Sequence, residues 1–145
     1  MIISYPASIE CDEDQRYFVT FPDLEEAITE GETLEEALFN ASEVLTVTLE
    51  GRVDEKIPIP KASKLKGQNN YQIFPSARVQ SALLLRKAQA KKTKASIARA
   101  LNTSWASIDR LEDLHHWPSL KMLERAAAVM GQQVVISFQP RAYIK

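Results

Sequence analysis

The residues best equipped for chemistry in this chain are its carboxylates, and fifteen of the nineteen lie in the first 75 residues. Carboxylates in number invite the reading of a metal-dependent hydrolase, which needs several of them converging on two ions about 4 Å apart. Their placement argues against it. Asp12, Glu13 and Asp14 fall together in one polar turn, others fall on exposed helix positions, and the strand interiors are nearly free of them. His115-His116 is the only histidine pair. Neighbours on a helix point about 100° apart and rarely share a metal, and no Cys or other His stands nearby to complete a site. Cys11 is the single cysteine, so no internal disulfide can form. A Gly-rich phosphate loop, Gly-x-Ser-x-Gly and Cys-x-x-Cys are all missing. No catalytic residue, metal or cofactor is therefore expected, and the acids are read as a surface for a cationic partner.

A second constellation points to nucleic acid. In Thr93-Lys-Ala-Ser-Ile-Ala-Arg-Ala-Leu-Asn-Thr-Ser-Trp-Ala-Ser-Ile-Asp-Arg-Leu-Glu112, Ile97, Ala98 and Leu101 make the inner face of one short helix. Asn102-Thr103 forms a turn, since Asn tolerates the left-handed backbone. Ser104 caps a second helix with Ile108 and Leu111 inward. Ala98 is small where the two helices must cross. This spacing predicts a helix-turn-helix, whose second helix enters the major groove and meets base edges with its N-terminal residues. Ser104, Trp105, Ala106, Ser107, Asp109 and Arg110 are then the groove-facing candidates. Arg110 and Ser107 suit base edges or phosphates, and Trp105 suits thymine methyls or backbone sugar. Asp109 suits a cytosine amino group or a bracing pair with Arg110. Lys91, Lys92, Lys94 and Arg99 suit phosphates, which set register rather than sequence.

The elements that must position these groups divide into two sets. Ser4–Glu10 and Arg16–Phe21 alternate as a hairpin, with Tyr5, Ala7 and Ile9 matched by Tyr17, Val19 and Phe21. Ala27–Glu30 is a short third strand. Thr33-Leu-Glu-Glu36 is a capping box opening an amphipathic helix, with Gly51 placed to end it in the left-handed conformation. Residues 52–70, with Ile57-Pro-Ile-Pro60, are a connector, and Tyr71–Phe74 is a fourth strand. From Ser76 the period becomes helical: a first helix of about four turns, short helices to Met130, and Ser119–Met130 with Leu120, Leu123, Ala126 and Ala127 inward. After Gly131, Gln132–Phe138 alternates as a final strand. It lacks a partner in its own domain, so Val134, Ile136 and Phe138 are expected to dimerise the chain. The fold class is α+β: β-β-β-α-β over residues 1–75, then an all-α domain with a terminal strand over residues 76–145.

Charge follows the same division. Residues 1–75 carry fifteen acids against six bases, net −9, and residues 76–145 carry twelve bases against four acids, net +8. The basic part suits operator DNA and the acidic part a cationic protein. No apolar run reaches the roughly 18 residues of a membrane span, and the first residues do not read as a secretory signal, so the expected location is the cytoplasm.

Two resemblances sharpen this. Thr93, Ile97-Ala98, Leu101-Asn102 and Ile108-x-x-Leu-Glu112 resemble the Cro/C1-type repressor domain, with two departures. Lys94 stands where that family usually has a bracing glutamine, and Asn102 replaces the turn glycine. Tyr5-Pro-Ala7, Phe21-Pro-Asp-Leu24 and Ala27-Ile-Thr-Glu-Gly-Glu-Thr-Leu-Glu-Glu-Ala37 resemble the HicB antitoxin family, and the domain order fits along nearly the whole chain. The resemblance implies a partial RNase H-like N-terminal fold and, as partner, a HicA-type toxin, a small basic ribonuclease whose RNA-binding surface and active site the acidic domain covers. It further implies repression of the shared operon. Asp12, Glu13, Asp14, Asp23, Glu25 and Glu26 are the expected toxin contacts, and a homo-oligomer, dimer or tetramer, the expected assembly. The alternatives are a free-standing repressor with a ligand-sensing or oligomerising N-terminal domain, and a toxin binder that has lost DNA affinity.

Overall fold

The computed structural model describes residues 1–89 and 92–140. They form β1 (Tyr5–Cys11), β2 (Tyr17–Phe21), β3 (Leu24–Gly31), α1 (Leu34–Asp54), β4 (Asn70–Ile73), α2 (Ala77–Ala88), α3 (Lys94–Leu101), α4 (Trp105–Glu112) and α5 (Leu120–Val129). Two compact units hold these elements, one built on Ile3–Ser76 and the other on Ala77–Phe138.

In the first unit the strands pair antiparallel in the order β3-β2-β1-β4. Ile9 lies opposite Val19, and Ala7 opposite Tyr71. The alternation read from the sequence is the one the sheet uses. Tyr5, Ala7, Ile9, Val19 and Phe21 are buried, together with Ala37, Leu38, Ala41, Leu45 and Leu49 of α1. Helix α1 packs chiefly on β3. That strand begins at Leu24, earlier than the sequence pattern indicates, because Phe21 pairs with Leu24 and the hairpin closes directly across Pro22-Asp23.

The start of α1 follows the capping box. Thr33 is extended and its hydroxyl accepts from the Glu36 amide at 3.1 Å, while Glu36 Oε2 accepts from the Glu32 amide at 3.2 Å. Its end departs from expectation. Gly51 stays helical, α1 runs on to Asp54, and Lys56 takes the left-handed conformation at φ 58°. The extra turn lets Arg52 reach both Glu26 and the Pro58 carbonyl, which offsets the strain of a non-glycine residue there.

In the second unit, α3 packs on α4 and α5, and α2 packs on α4 and α5. Leu85, Ile97, Ala98, Leu101, Ile108, Leu111 and Ala126 form the core. Two expectations fail here. Leu120 is 61% exposed, since as the first residue of α5 it lies beyond the core's edge. Gln132–Phe138 forms no strand, and Phe138 is 97% exposed, with Val135 and Ile136 exposed and Val134 half-buried. A strand exists only when a neighbour supplies its ladder hydrogen bonds, and none does so among the described residues.

Candidate functional site

Two eight-residue helices, α3 and α4, meet across the turn Asn102–Ser104. Each element of that junction has a local cause. Thr93 caps α3 by accepting from the Ser96 amide at 3.1 Å. Asn102 ends it at φ 51°, ψ 51°, and the Thr103 amide returns to the Ala98 carbonyl at 2.9 Å. Ser104 caps α4 by accepting from the Ser107 amide at 3.3 Å, with the two hydroxyls 3.1 Å apart. The Ser104 hydroxyl is therefore occupied by the helix start. Trp105, Ala106, Asp109 and Arg110 stand exposed on α4, with Trp105 at 57%, and Ser107 is half-buried beside them.

Asp109 does have a bracing partner, but it is Lys94 at 2.5 Å rather than Arg110. Arg110 follows Asp109 directly, so on a helix the two side chains diverge, whereas the first residue of α3 lies across from α4. Lys94 also lies 3.6 Å from Glu112 Oε2. The Asp109 hydrogen bond chiefly holds the Lys94 ammonium above its ordinary 10.5, and the charge of Glu112 adds to it. Glu112 is only 8% exposed, and its carboxylate faces the side-chain amide of Gln89.

Several cations of this unit serve its own backbone. Arg86 Nε donates to the Glu112 carbonyl at 2.9 Å, and Arg125 donates to the Leu101 carbonyl at 2.6 Å. Arg78 donates to the Leu114 carbonyl and lies 5.7 Å over the Trp117 ring. Together they satisfy carbonyls at and beyond the C-termini of α3 and α4, where positive charge is favoured by the helix dipole. The partners are 24 to 36 residues apart, so no local pattern announces them. Lys92 donates to the Val129 carbonyl, which draws it away from a purely external role. Arg99 and Arg110 remain exposed, and Lys91 lies outside the described residues.

On the acidic unit, the six expected partner-facing carboxylates do not form one patch. Asp12, Glu13 and Asp14 cap the β1–β2 end of the sheet, where Cys11, Tyr17 and Gly31 lie in register. Asp23, Glu25 and Glu26 lie at the opposite end of β2, a separation of roughly 16 Å for five residues. At the first end, Glu30, Glu32, Glu35 and Glu36 join the three turn acids, all exposed. Arg16 is the base among them, 2.7 Å from Glu30 and 3.8 Å from Glu32. Sequence reasoning did not name these four glutamates among the expected contacts, because it read the acids at the helix start as capping the helix and complementing its dipole. The density of acids in Glu30-Gly-Glu-Thr-Leu-Glu-Glu36 was the available signal.

The second end is engaged internally. Asp23 accepts from the Ser63 amide at 2.8 Å and from its hydroxyl. Glu26 forms a two-pronged pair with Arg52 at 2.8 and 2.9 Å, which pulls the Glu26 carboxyl below its ordinary range. The Tyr5 hydroxyl donates to the Pro60 carbonyl at 2.6 Å. Burial, reinforced by the Asp23 charge and partly opposed by Arg52, pushes the Tyr5 phenol up. Asp23 and Glu26 thus hold the connector to the sheet, and Glu25 is the exposed acid beside them.

Comparison with known proteins identifies the family of the chain. A family model described as HicB-like antitoxin of a bacterial toxin–antitoxin system matches residues 4–75. Antitoxin HicB 1 of Photorhabdus laumondii is 31% identical over 93% of this chain and 86% of its own length. Antitoxin HicB of Escherichia coli K12 is 28% identical over 90% of this chain and 95% of its own. The crystal structure of the N-terminal domain of Burkholderia pseudomallei antitoxin HicB overlaps 43% of this chain and 74% of its own at 24% identity, with a TM-score of 0.40.

Proposed function

The chain belongs to the HicB-like antitoxin family of bacterial toxin–antitoxin systems, and from that premise we propose that it neutralises a HicA-type toxin, a small basic RNA-cleaving protein, and represses its own operon. The observation that carries the first half is the crowding of Asp12, Glu13, Asp14, Glu30, Glu32, Glu35 and Glu36 at one end of the sheet around a single Arg16. Such a surface repels RNA and competes for the cationic face with which a basic ribonuclease holds RNA. Asp23 and Glu26 contribute by fixing the connector rather than by direct contact.

Support for the second half comes from α4, which presents Trp105, Ala106, Ser107, Asp109 and Arg110 beside Arg99. A helix of this kind fits the major groove, with Arg110 on base edges or phosphates and Arg99 with Lys91 and Lys92 on phosphates. Repression acts on DNA in the cytoplasm, and among the described residues no helix is long and apolar enough to cross a membrane. The antitoxin role so proposed is a matter of binding, with no catalytic step.

Mixing the chain with the product of an adjacent small basic reading frame tests this reading. Complex formation with loss of RNA cleavage is expected. Changing Asp12, Glu13 and Asp14 together to lysine is expected to weaken the complex at least about tenfold, roughly 1.4 kcal/mol. Undiminished RNA cleavage in the presence of the wild-type chain would leave a DNA-binding regulator with an unknown signal.

A further inference from the structure

The change in sign of the charge does not coincide with the boundary between the two structural units. Residues 1–55 hold fifteen acids and two bases, net −13, while residues 56–145 hold sixteen bases and four acids, net +12. No acid occurs between Glu55 and Asp109. The connector between α1 and β4, folded within the acidic unit, therefore belongs electrostatically with the DNA-binding half. It carries Lys56, Lys61, Lys64 and Lys66, all exposed. Among the described residues no ion pair engages any of the four. Arg16 and Arg52, the arginines among the described residues of the same unit, are both held by carboxylates.

The connector is tied down along its length. Arg52 donates to the Pro58 carbonyl at 2.8 Å, and Tyr5 donates to the Pro60 carbonyl at 2.6 Å. The Ser63 amide donates to Asp23 at 2.8 Å, Asn70 donates to the Lys66 carbonyl at 3.2 Å, and Ile9 donates to the Asn69 carbonyl at 2.8 Å. Its backbone is thus anchored while its ammonium groups face water. An anchored loop loses less conformational entropy on binding than a free one. Four like charges on one short segment repel one another, and a polyanion relieves that repulsion. Lysine supplies point charge without the planar fork that reads bases, so phosphate is the matching chemistry.

We propose that this connector is a second nucleic-acid contact, a lysine strip that binds the sugar–phosphate backbone of duplex DNA in addition to the contacts made by α4. The proposal rests on the operator-binding reading above. A basic toxin is repelled by the strip and attracted to the acidic end of the sheet, so the two partners call on different surfaces of one unit.

The test is the salt dependence of DNA binding by the full chain with Lys56, Lys61, Lys64 and Lys66 all changed to glutamine. Each phosphate contact contributes about 0.9 to the slope of log affinity against log salt between about 50 and 200 mM. The variant is expected to lose about 2 to 4 from that slope, and to lose affinity for operator and random duplex by the same factor. The ratio between the two duplexes should stay constant, toxin neutralisation should persist as proof of folding, and arginine at the four positions should restore the slope. A slope equal to that of the wild type overturns the proposal and leaves the operator reading intact. So does a loss confined to single-stranded RNA. A wild-type chain with no operator affinity overturns both.

Discussion

Lys94 and Asp109 lie 2.5 Å apart between the first turn of α3 and the exposed face of α4. A carboxylate at that place meets phosphates in the proposed DNA complex, and the ammonium beside it cancels the repulsion. Lys94→Ala is therefore expected to cut operator affinity about tenfold, and adding Asp109→Asn is expected to recover part of the loss, as titration of labelled operator by anisotropy would show. Equal affinities for wild type and Lys94→Ala would remove the brace from the DNA reading. Folding stability should change by less than about 1 kcal/mol, because partly exposed pairs contribute little. Glu26 invites a pH experiment. Its carboxyl is held below the ordinary 4.5 by Arg52, so the folded state binds protons less readily than the unfolded chain. The stabilisation is complete above that value and fades as pH falls through the lowered one. Glu26→Gln should accordingly flatten the acid limb of the thermal unfolding curve measured below about pH 5. An acid limb as steep as the wild type's would show that the pair has no such linkage.

Among the elements, the β3–α1 corner has the narrowest tolerance. A Cβ on Gly31 would meet the Ala37 amide nitrogen at 2.5 Å, with backbone on both sides and no flexible side chain to yield. Gly31→Ala is expected to destabilise the N-terminal unit by about 1 to 3 kcal/mol. Thr33→Ala, which removes only the cap, should cost about 1 kcal/mol. Urea unfolding of the two variants would rank them, and a Gly31→Ala variant as stable as the wild type would contradict the close approach. The same corner carries Glu30, Glu32, Glu35 and Glu36, so the close packing also fixes where the proposed toxin surface stands.

For the whole molecule, the unsatisfied feature is the segment after α5. Val134, Ile136 and Phe138 alternate as a strand should, yet the single chain leaves Phe138 almost wholly in water. We propose that two copies pair through it. An operator read by two α4 helices about one helical turn apart needs such a dimer. Phe138→Asp is expected to shift the chain to monomer in sedimentation velocity and to weaken binding to a two-half-site operator far more than to a single half-site. A variant that stays dimeric would move the interface elsewhere.

Short-range pattern was enough to read the strands β1, β2 and β4, the caps at Thr33, Thr93 and Ser104, the left-handed Asn102, and the inward faces of α3 and α4. Each depends on residues within about four positions of one another, where spacing and side-chain chemistry act directly. Family membership was legible too, because it rests on residue identity along the chain. Tertiary structure decided the rest. It sent Asp23 and Glu26 to the connector, paired Asp109 with Lys94, and placed three arginines on carbonyls far along the sequence. Where a charged side chain finds its partner depends on which elements pack together, and burial by distant segments sets that choice. The segment after α5 marks the further limit: its alternating pattern reads as a strand, but among the described residues no neighbour supplies ladder hydrogen bonds and it stays irregular.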